Sequence, residues 1–258
     1  MPSAKAKIIV LGSSAIFPFP RTVSNNFGDY LDTDNYQKRF SLHNDKICQS
    51  AKLGGKDRRM RSSVAIVTKH QTILLEAGPD VRHQLKKFKV KPNAVFITHN
   101  HPDANFGLKY LSSDVMIYSE QKKNVFPGRE IHFPDLTITP FRVLHAHNTT
   151  CVGYALDFLT KRSKKRFIYM TDLASLAGTR HYLDGADILL ADGSALDNSM
   201  PSHLAMVKQL NFYRRLNIKK IFFTHIGHAT LPHRQLRAYL KGRSPRADVT
   251  YDGLIIKI

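Results

Sequence analysis

Val95-Phe96-Ile97-Thr98 is a short run of β-branched and aromatic residues with no room for a helix, and it opens directly into His99-Asn100-His101-Pro102-Asp103. Side chains at i and i+2 of a strand end point the same way. Two imidazoles and a carboxylate can therefore converge on one point, which is what a divalent cation needs. A polar turn that happens to be rich in histidine is the plain alternative, and the other histidines of the chain bear on the choice. Around this stretch, strand-like and helix-like segments alternate along the whole length, which favours one layered α/β unit over residues 1–258.

In chain order, residues 7–11 read as a first strand, closed by a tight turn at Gly12-Ser13-Ser14. At about 17–61 periodicity is lost and Pro, Asn, Asp and Ser are frequent, so this reads as a long inserted loop. A loop of that length is uncommon unless something pins it. Residues 63–67 and 72–76 read as paired strands, and a helix after Asp80 carries Val81, Leu85 and Phe88 on one face. Residues 106–111 read as a helix, 115–118 as a strand and 131–144 as edge strands. A hairpin pattern joins 153–158 to 166–170, 187–192 is a buried strand, and 202–216 has helical spacing. The strand at 220–225 ends in histidine, as Ile97-Thr98-His99 does.

Residues able to hold a metal recur just after these strand-like segments: His99, His101 and Asp103, then His147, Asp172 and His225. Ligands from several strand ends meeting at one sheet edge make a rigid site. Singly, His147 reads as a surface histidine and Asp172 equally well as a helix N-cap; their joint order is far more specific.

That order resembles the metallo-β-lactamase-fold hydrolases over nearly the whole chain. Further details resemble the phosphodiesterase branch that opens phosphoribosyl 1,2-cyclic phosphate: Gly12-Ser13-Ser14 after the first strand, Asp57-Arg58-Arg59-Met60-Arg61-Ser62-Ser63 before the second, His147 six residues ahead of Gly153-Tyr154, and Thr224-His225-Ile226-Gly227-His228. The resemblance implies a four-layer αβ/βα sandwich with zinc or manganese, one or two ions, at the active site. His99, His101 and His147 would hold one ion, Asp172 would bridge, and Asp103 with His225 would face the second position. His203, in Met200-Pro201-Ser202-His203-Leu204, would start the late helix and act with Asp103 in catalysis, as proton donor to the departing oxygen. A helix N-terminus would press its pKa down. His145, two residues from His147, is expected to support the ligands from behind.

One departure from the pattern stands out. The family carries a histidine directly after the aspartate, where this chain has Ala104. A methyl group cannot coordinate, so the second metal position is expected to be depleted. A second constellation bears on the long loop. The same branch carries C-x-C-x-x-C there, holding a structural zinc with a late histidine. This chain has His43, Asp45 and Cys48 at that spacing, with His228 as the fourth ligand by the same resemblance. A site whose remaining residues are ordinary polar loop positions is the other reading.

Composition limits the partners. Lysine and arginine outnumber acids 39 to 20, a formal net charge of +19, and such a surface draws anionic substrates and polyanions. It fits a general basic habit of a proteome equally well, and no nucleic-acid-binding module is visible. No run of 18 apolar residues predicts a membrane span, the N-terminal apolar run is too short for a secretion signal, and two cysteines fit a reducing cytoplasm. The reading is a cytoplasmic, metal-dependent phosphodiesterase acting on a small cyclic or diester phosphate, with a homodimer as the admissible assembly. The alternatives are a nuclease on RNA or DNA and a non-catalytic member of the fold. Arg58, Arg59 and Arg61 are the candidates for orienting phosphate.

Overall fold

The computed structural model describes residues 6–17, 45–145, 149–159 and 164–258. His43 and His147 lie outside the described residues.

Strands β1 (Lys7–Gly12), β2 (Ser63–Val67), β3 (Thr72–Leu75), β4 (Ala94–Phe96), β5 (Met116–Tyr118) and β13 (Ile255–Lys257) build one sheet, in the order β13-β1-β2-β3-β4-β5. Strands β6 (Ile131–His132), β7 (Leu136–Leu144), β8 (Thr150–Leu159), β9 (Lys164–Met170), β10 (Ile188–Asp192), β11 (Lys220–Thr224) and β12 (Ala247–Val249) build the other, in the order β12-β11-β10-β9-β8-β7-β6.

These strands are apolar on both faces because both faces are covered. On β1, Ile8 and Val10 enter the core between the sheets, packing with Phe96, Tyr154, Leu156 and Tyr169, while Ile9 and Leu11 face outward. On that outer side they meet Val81, Leu85 and Phe88 of helix α2 (Val81–Phe88). The second sheet behaves likewise. Tyr169 and Leu190 point inward, whereas Ile168, Met170, Leu189 and Ala191 face helices α5 (Met206–Tyr213) and α6 (His233–Arg243), through Leu210, Tyr213, Leu236 and Leu240. The result is helix, sheet, sheet, helix, the four-layer sandwich the resemblance implies. Its driving force is the removal of both faces of both sheets from water.

Several local details differ from the sequence expectations. Residues 106–111 form a 3-10 turn, Phe106–Tyr110, preceded by the short helix α3 (Pro102–Asn105). The segment 202–216 is helical only from Met206 to Tyr213. Helix α1 (Lys46–Lys52) lies inside the inserted loop, and α4 (Arg180–Leu183), α6, β12 and β13 were not anticipated.

Direction of the strands gathers the chemistry. β9, β10, β11 and β12 run parallel in one sheet, and β3, β4 and β5 in the other. Backbone pairing of Val152 N–H with Thr98 O (3.0 Å) and of Ile226 N–H with Ser13 O (2.8 Å) clamps the two sheets together at one edge. Carboxyl ends of parallel strands are where α/β sheets present their ligands.

Candidate metal centre

Thr98 and His99 continue from β4, and His101 closes the turn in extended geometry as the N-cap of α3, whose first residue is Pro102, with φ already set for a helix. Asp103 follows in the first helical turn. Its loop can sit this low because Gly78 has no side chain: a Cβ there would strike the Asp103 carbonyl. Ala77 N–H donates to Ala104 O at 2.7 Å and Gly107 N–H to Ala77 O at 2.8 Å, so the turn after β3 is stitched to the turn after β4.

Three imidazoles meet there. The ring centres of His99 and His101 are 4.5 Å apart, those of His99 and His145 5.1 Å, and those of His101 and His145 5.3 Å. His99 Nε2 lies 2.9 Å from His101 Nδ1. A tetrahedral centre with bonds of ~2.0–2.1 Å puts neighbouring donor atoms roughly 3.3 Å apart; this pair is a little closer, and the ligand atoms of His99, His101 and His145 all lie within 4.8 Å of one another. His145 Nδ1 is 3.1 Å from the Ser202 carbonyl, which can only accept, so Nδ1 carries the proton and Nε2 is left for a cation. His145 follows β7 directly. It is this histidine that stands with His99 and His101, rather than supporting them from behind; His147 is outside the described residues.

Asp172, after β9, is the shared partner. Its Oδ1 is 3.3 Å from His225 Nε2, 3.8 Å from His99 Nε2 and 3.9 Å from His145 Nε2. It is no helix N-cap; it sits in left-handed backbone (φ 56°) with its side chain buried. Burial would raise its pKa, but the facing His225 and His99 hold it well below the usual carboxylate range. In the other direction, burial would lower His225, yet Asp172 carries it up to about 10. His99 and His145 are pressed below the ordinary histidine value by burial, against the pull of Asp172. They are neutral imidazoles, the form that ligates.

The second group consists of Asp172, His203 and His225, whose ligand atoms all lie within 4.8 Å of one another. His203 does not start the helix; it lies three residues before it, bridged to Met200. No helix dipole presses its pKa down. Its Nδ1–H instead donates to Asp192 Oδ2 at 2.7 Å, and Asp192 is buried at the end of β10. Burial works against the imidazolium, but Asp192 prevails and the His203 pKa is raised. Asp192 is fixed in turn by the backbone N–H groups of Leu173 and Ser194, both at 2.8 Å.

Ser62, Glu76, His99, Asp103, Ala104, Thr171, Asp172 and His225 line a cavity of about 10 Å³, the room that one water-sized species needs. Asp103 Oδ1 and Glu76 Oε2 are buried with no hydrogen-bond partner among the described residues. Orphaned carboxylate oxygens beside the neutral imidazole of His99 are a donor set that fits a divalent cation.

Arg59 and Arg61 do not reach this cavity. Arg59 is buried among Ser13, the Thr250 carbonyl and His233. Arg61 pairs with Asp80 at 3.1 Å and with the Ile16 carbonyl. Both fasten the end of the inserted loop to the core, while Arg58 is exposed.

At a separate place, Asp45, Cys48 and His228 bring their ligand atoms within 4.8 Å of one another. Asp45 caps α1, accepting from Cys48 N–H at 2.8 Å, and its other oxygen accepts from His228 Nδ1 at 2.8 Å. Cys48 Sγ is 3.7 Å from the same nitrogen. Burial would raise Asp45, but the Cys48 N–H and His228 bring it below the usual range. His43 is outside the described residues.

A beta-lactamase superfamily domain matches residues 119–226. No curated protein matches the chain by sequence. Among solved structures, the chain is similar to a diphosphatase from the PhnP family at 21% identity and a TM-score of 0.75, covering 98% of this chain and 97% of that one. The metallo-beta-lactamase fold protein YhfI from Bacillus subtilis superposes with a TM-score of 0.71 at 16% identity, covering 99% and 100%. The short form of human tRNase Z gives 0.61 at 15% identity, covering 97% and 98%.

Proposed function

Starting from a chain with the metallo-β-lactamase fold, we propose that this protein is a metal-dependent phosphodiesterase that opens a small cyclic or diester phosphate. His99, His101, His145 and Asp172 hold the first divalent cation, zinc or manganese. Asp103, Asp172 and His225 face the second position, which lacks the imidazole that Ala104 would otherwise supply. A cation bound there supplies Lewis acidity and water of lowered pKa.

The chain's own groups do the rest. Asp103, with a free buried acceptor, orients the attacking water. His203, whose pKa Asp192 raises, delivers its proton to the departing oxygen. The carrying observation is this division of labour among the histidines: burial presses the pKa of two of the clustered imidazoles down, while a buried carboxylate 2.7 Å away raises that of His203. Environments that push like groups apart in pKa mark acid and ligand roles.

The site formed by Asp45, Cys48 and His228 we read as a structural zinc site that pins the inserted loop. That loop's end is also held where His233 N–H donates to Asp57 at 2.6 Å. Cys48 and Cys151 are both buried and are not joined to each other. No helix among the described residues is long and apolar enough to cross a membrane.

The net charge of +19, with the likeness to tRNase Z, supports nucleic acid as the second reading. The test is hydrolysis of bis(p-nitrophenyl) phosphate, phosphoribosyl cyclic phosphate and a short RNA by protein loaded with Mn²⁺ or Zn²⁺. Turnover of the small diesters that is abolished by His101→Ala and cut by His203→Ala supports the reading. Cleavage of RNA alone moves the function to the nuclease alternative, and no hydrolysis of any of the three overturns the enzyme.

A further inference from the structure

Glu76 has no place in the ligand set that the family resemblance implies, yet it lines the same cavity as Asp103, Ala104, Asp172 and His225. It is only 3% exposed. One carboxylate oxygen, Oε1, accepts from Thr98 N–H at 3.1 Å. The other, Oε2, is buried without a partner among the described residues. A buried acceptor left unpaired costs on the order of 1–3 kcal/mol, more when charged, so a fold that keeps one has a use for it or a ligand on it.

Backbone geometry fixes its aim. Five non-glycine residues among those described have positive φ, and three of them, Glu76 (70°), Asp172 (56°) and His225 (56°), line this one cavity. Strained backbone of this kind concentrates where side chains are held for function. The neighbouring bond from Ala77 N–H to Ala104 O brings the Glu76 turn against the residue whose side chain is too short to coordinate.

We propose that Glu76 is a metal ligand, its Oε2 taking the coordination place left by Ala104. The second cation position is then three carboxylates, from Glu76, Asp103 and Asp172, with the one imidazole of His225. A donor set of that hardness accommodates Mn²⁺ better than the first position does, where three imidazoles suit Zn²⁺. This rests on the metal-centre reading above.

The test is cation counting by elemental analysis after the apo-protein is equilibrated with both metals, together with the Mn²⁺ electron paramagnetic resonance signal of bound ion. With zinc limited to the equivalents that the first position and the Cys48 site take and Mn²⁺ in excess, wild type is expected to carry one Zn²⁺ and one Mn²⁺ at this centre, after the zinc lost in a Cys48→Ser background is subtracted. Glu76→Gln keeps the bond to Thr98 and is close to isosteric, so it is expected to keep the zinc and to bind Mn²⁺ at least about tenfold more weakly. The zinc retained at the first position doubles as the folding control, and the apo variant should melt no lower than apo wild type. Two ions bound with unchanged affinity in Glu76→Gln overturn the proposal, as does a wild-type centre that holds one ion only. A wild-type centre that holds none overturns the metal reading itself.

Discussion

His225 Nε2 lies 3.3 Å from Asp172 Oδ1, and both residues sit in left-handed backbone at φ 56°. In the metal-free protein this is a buried imidazolium–carboxylate pair, with His225 at about 10 and Asp172 well below its usual range. The proton on His225 occupies the electrostatic role that a cation would take over.

Removing the anion tests that relationship. In metal-free Asp172→Asn the desolvation of His225 is opposed only by Asp192 and Asp103. Its titration, followed by the imidazole resonances in NMR, is expected to fall well below the value of about 10 that it has beside Asp172. A His225 that still titrates near 10 shows that Asp172 is not its principal partner.

The third imidazole gives a second test. His145→Ala removes a ring that His99 and His101 both face and is expected to release the cation of the first position, with a fall in affinity of at least about a hundredfold. His147→Ala is expected to leave that cation in place. Isothermal titration with Zn²⁺ separates the two, and the reverse ranking contradicts the assignment.

What the residue pattern disclosed, and what it hid, follows from how local each signal is. His99, His101, Asp172 and His225 follow short apolar strands, and the side-chain alternation of a strand end makes them readable. Spacing to Gly153-Tyr154 pointed at His147, which lies outside the described residues; among those described the third imidazole is His145, where Leu144 ends a strand and a histidine comes next, the same strand-then-histidine signal as at His99. The state of His203 was hidden because its partner, Asp192, arrives on another strand and was read only as the end of it. Glu76 was passed over for a like reason: it reads as a strand residue, and only the chain reversal after Leu75 turns it into the cavity. Helix α6 had no counterpart in the sequence reading, although Leu236 and Leu240, one turn apart, are the sign of a buried face.

At the inserted loop, Cys48→Ser is expected to lower the zinc content by one ion per chain. Zinc present at a hundred times its Kd stabilises the fold by about 2.7 kcal/mol, so the variant should lose about that much in urea unfolding, and a chelator should then have little further effect at this site. Equal zinc content in both proteins would falsify the structural site.

Acid stability offers a test remote from the metal centre. Arg59 Nη2 donates to His233 Nδ1 at 3.1 Å, and burial together with Arg59 and Lys56 brings His233 from 6.5 down to about 4. The folded value lies below the unfolded one, so the contribution of neutral His233 is complete above about 6.5 and is lost as pH falls towards 4. At about 1.4 kcal/mol per pH unit this amounts to roughly 3 kcal/mol. Asp252, raised by burial to about 6 from 3.8, runs the opposite way over nearly the same window and masks it in the wild type. Metal-free His233→Gln should therefore lose about 2–3 kcal/mol less than wild type between pH 7 and pH 4.5 in urea unfolding. Equal losses rule out His233 as the titrating group.

The central claim is that the gathered imidazoles and carboxylates hold the cation that makes this chain a diesterase. Bis(p-nitrophenyl) phosphate hydrolysis, measured on one preparation as purified, after exhaustive EDTA dialysis and after reloading with Mn²⁺ and Zn²⁺, tests it most directly. The predicted result is a rate that disappears with the cations and returns in proportion to the ions counted per chain. Hydrolysis that survives complete removal of metal, or a fully loaded protein that leaves the diester intact, contradicts it.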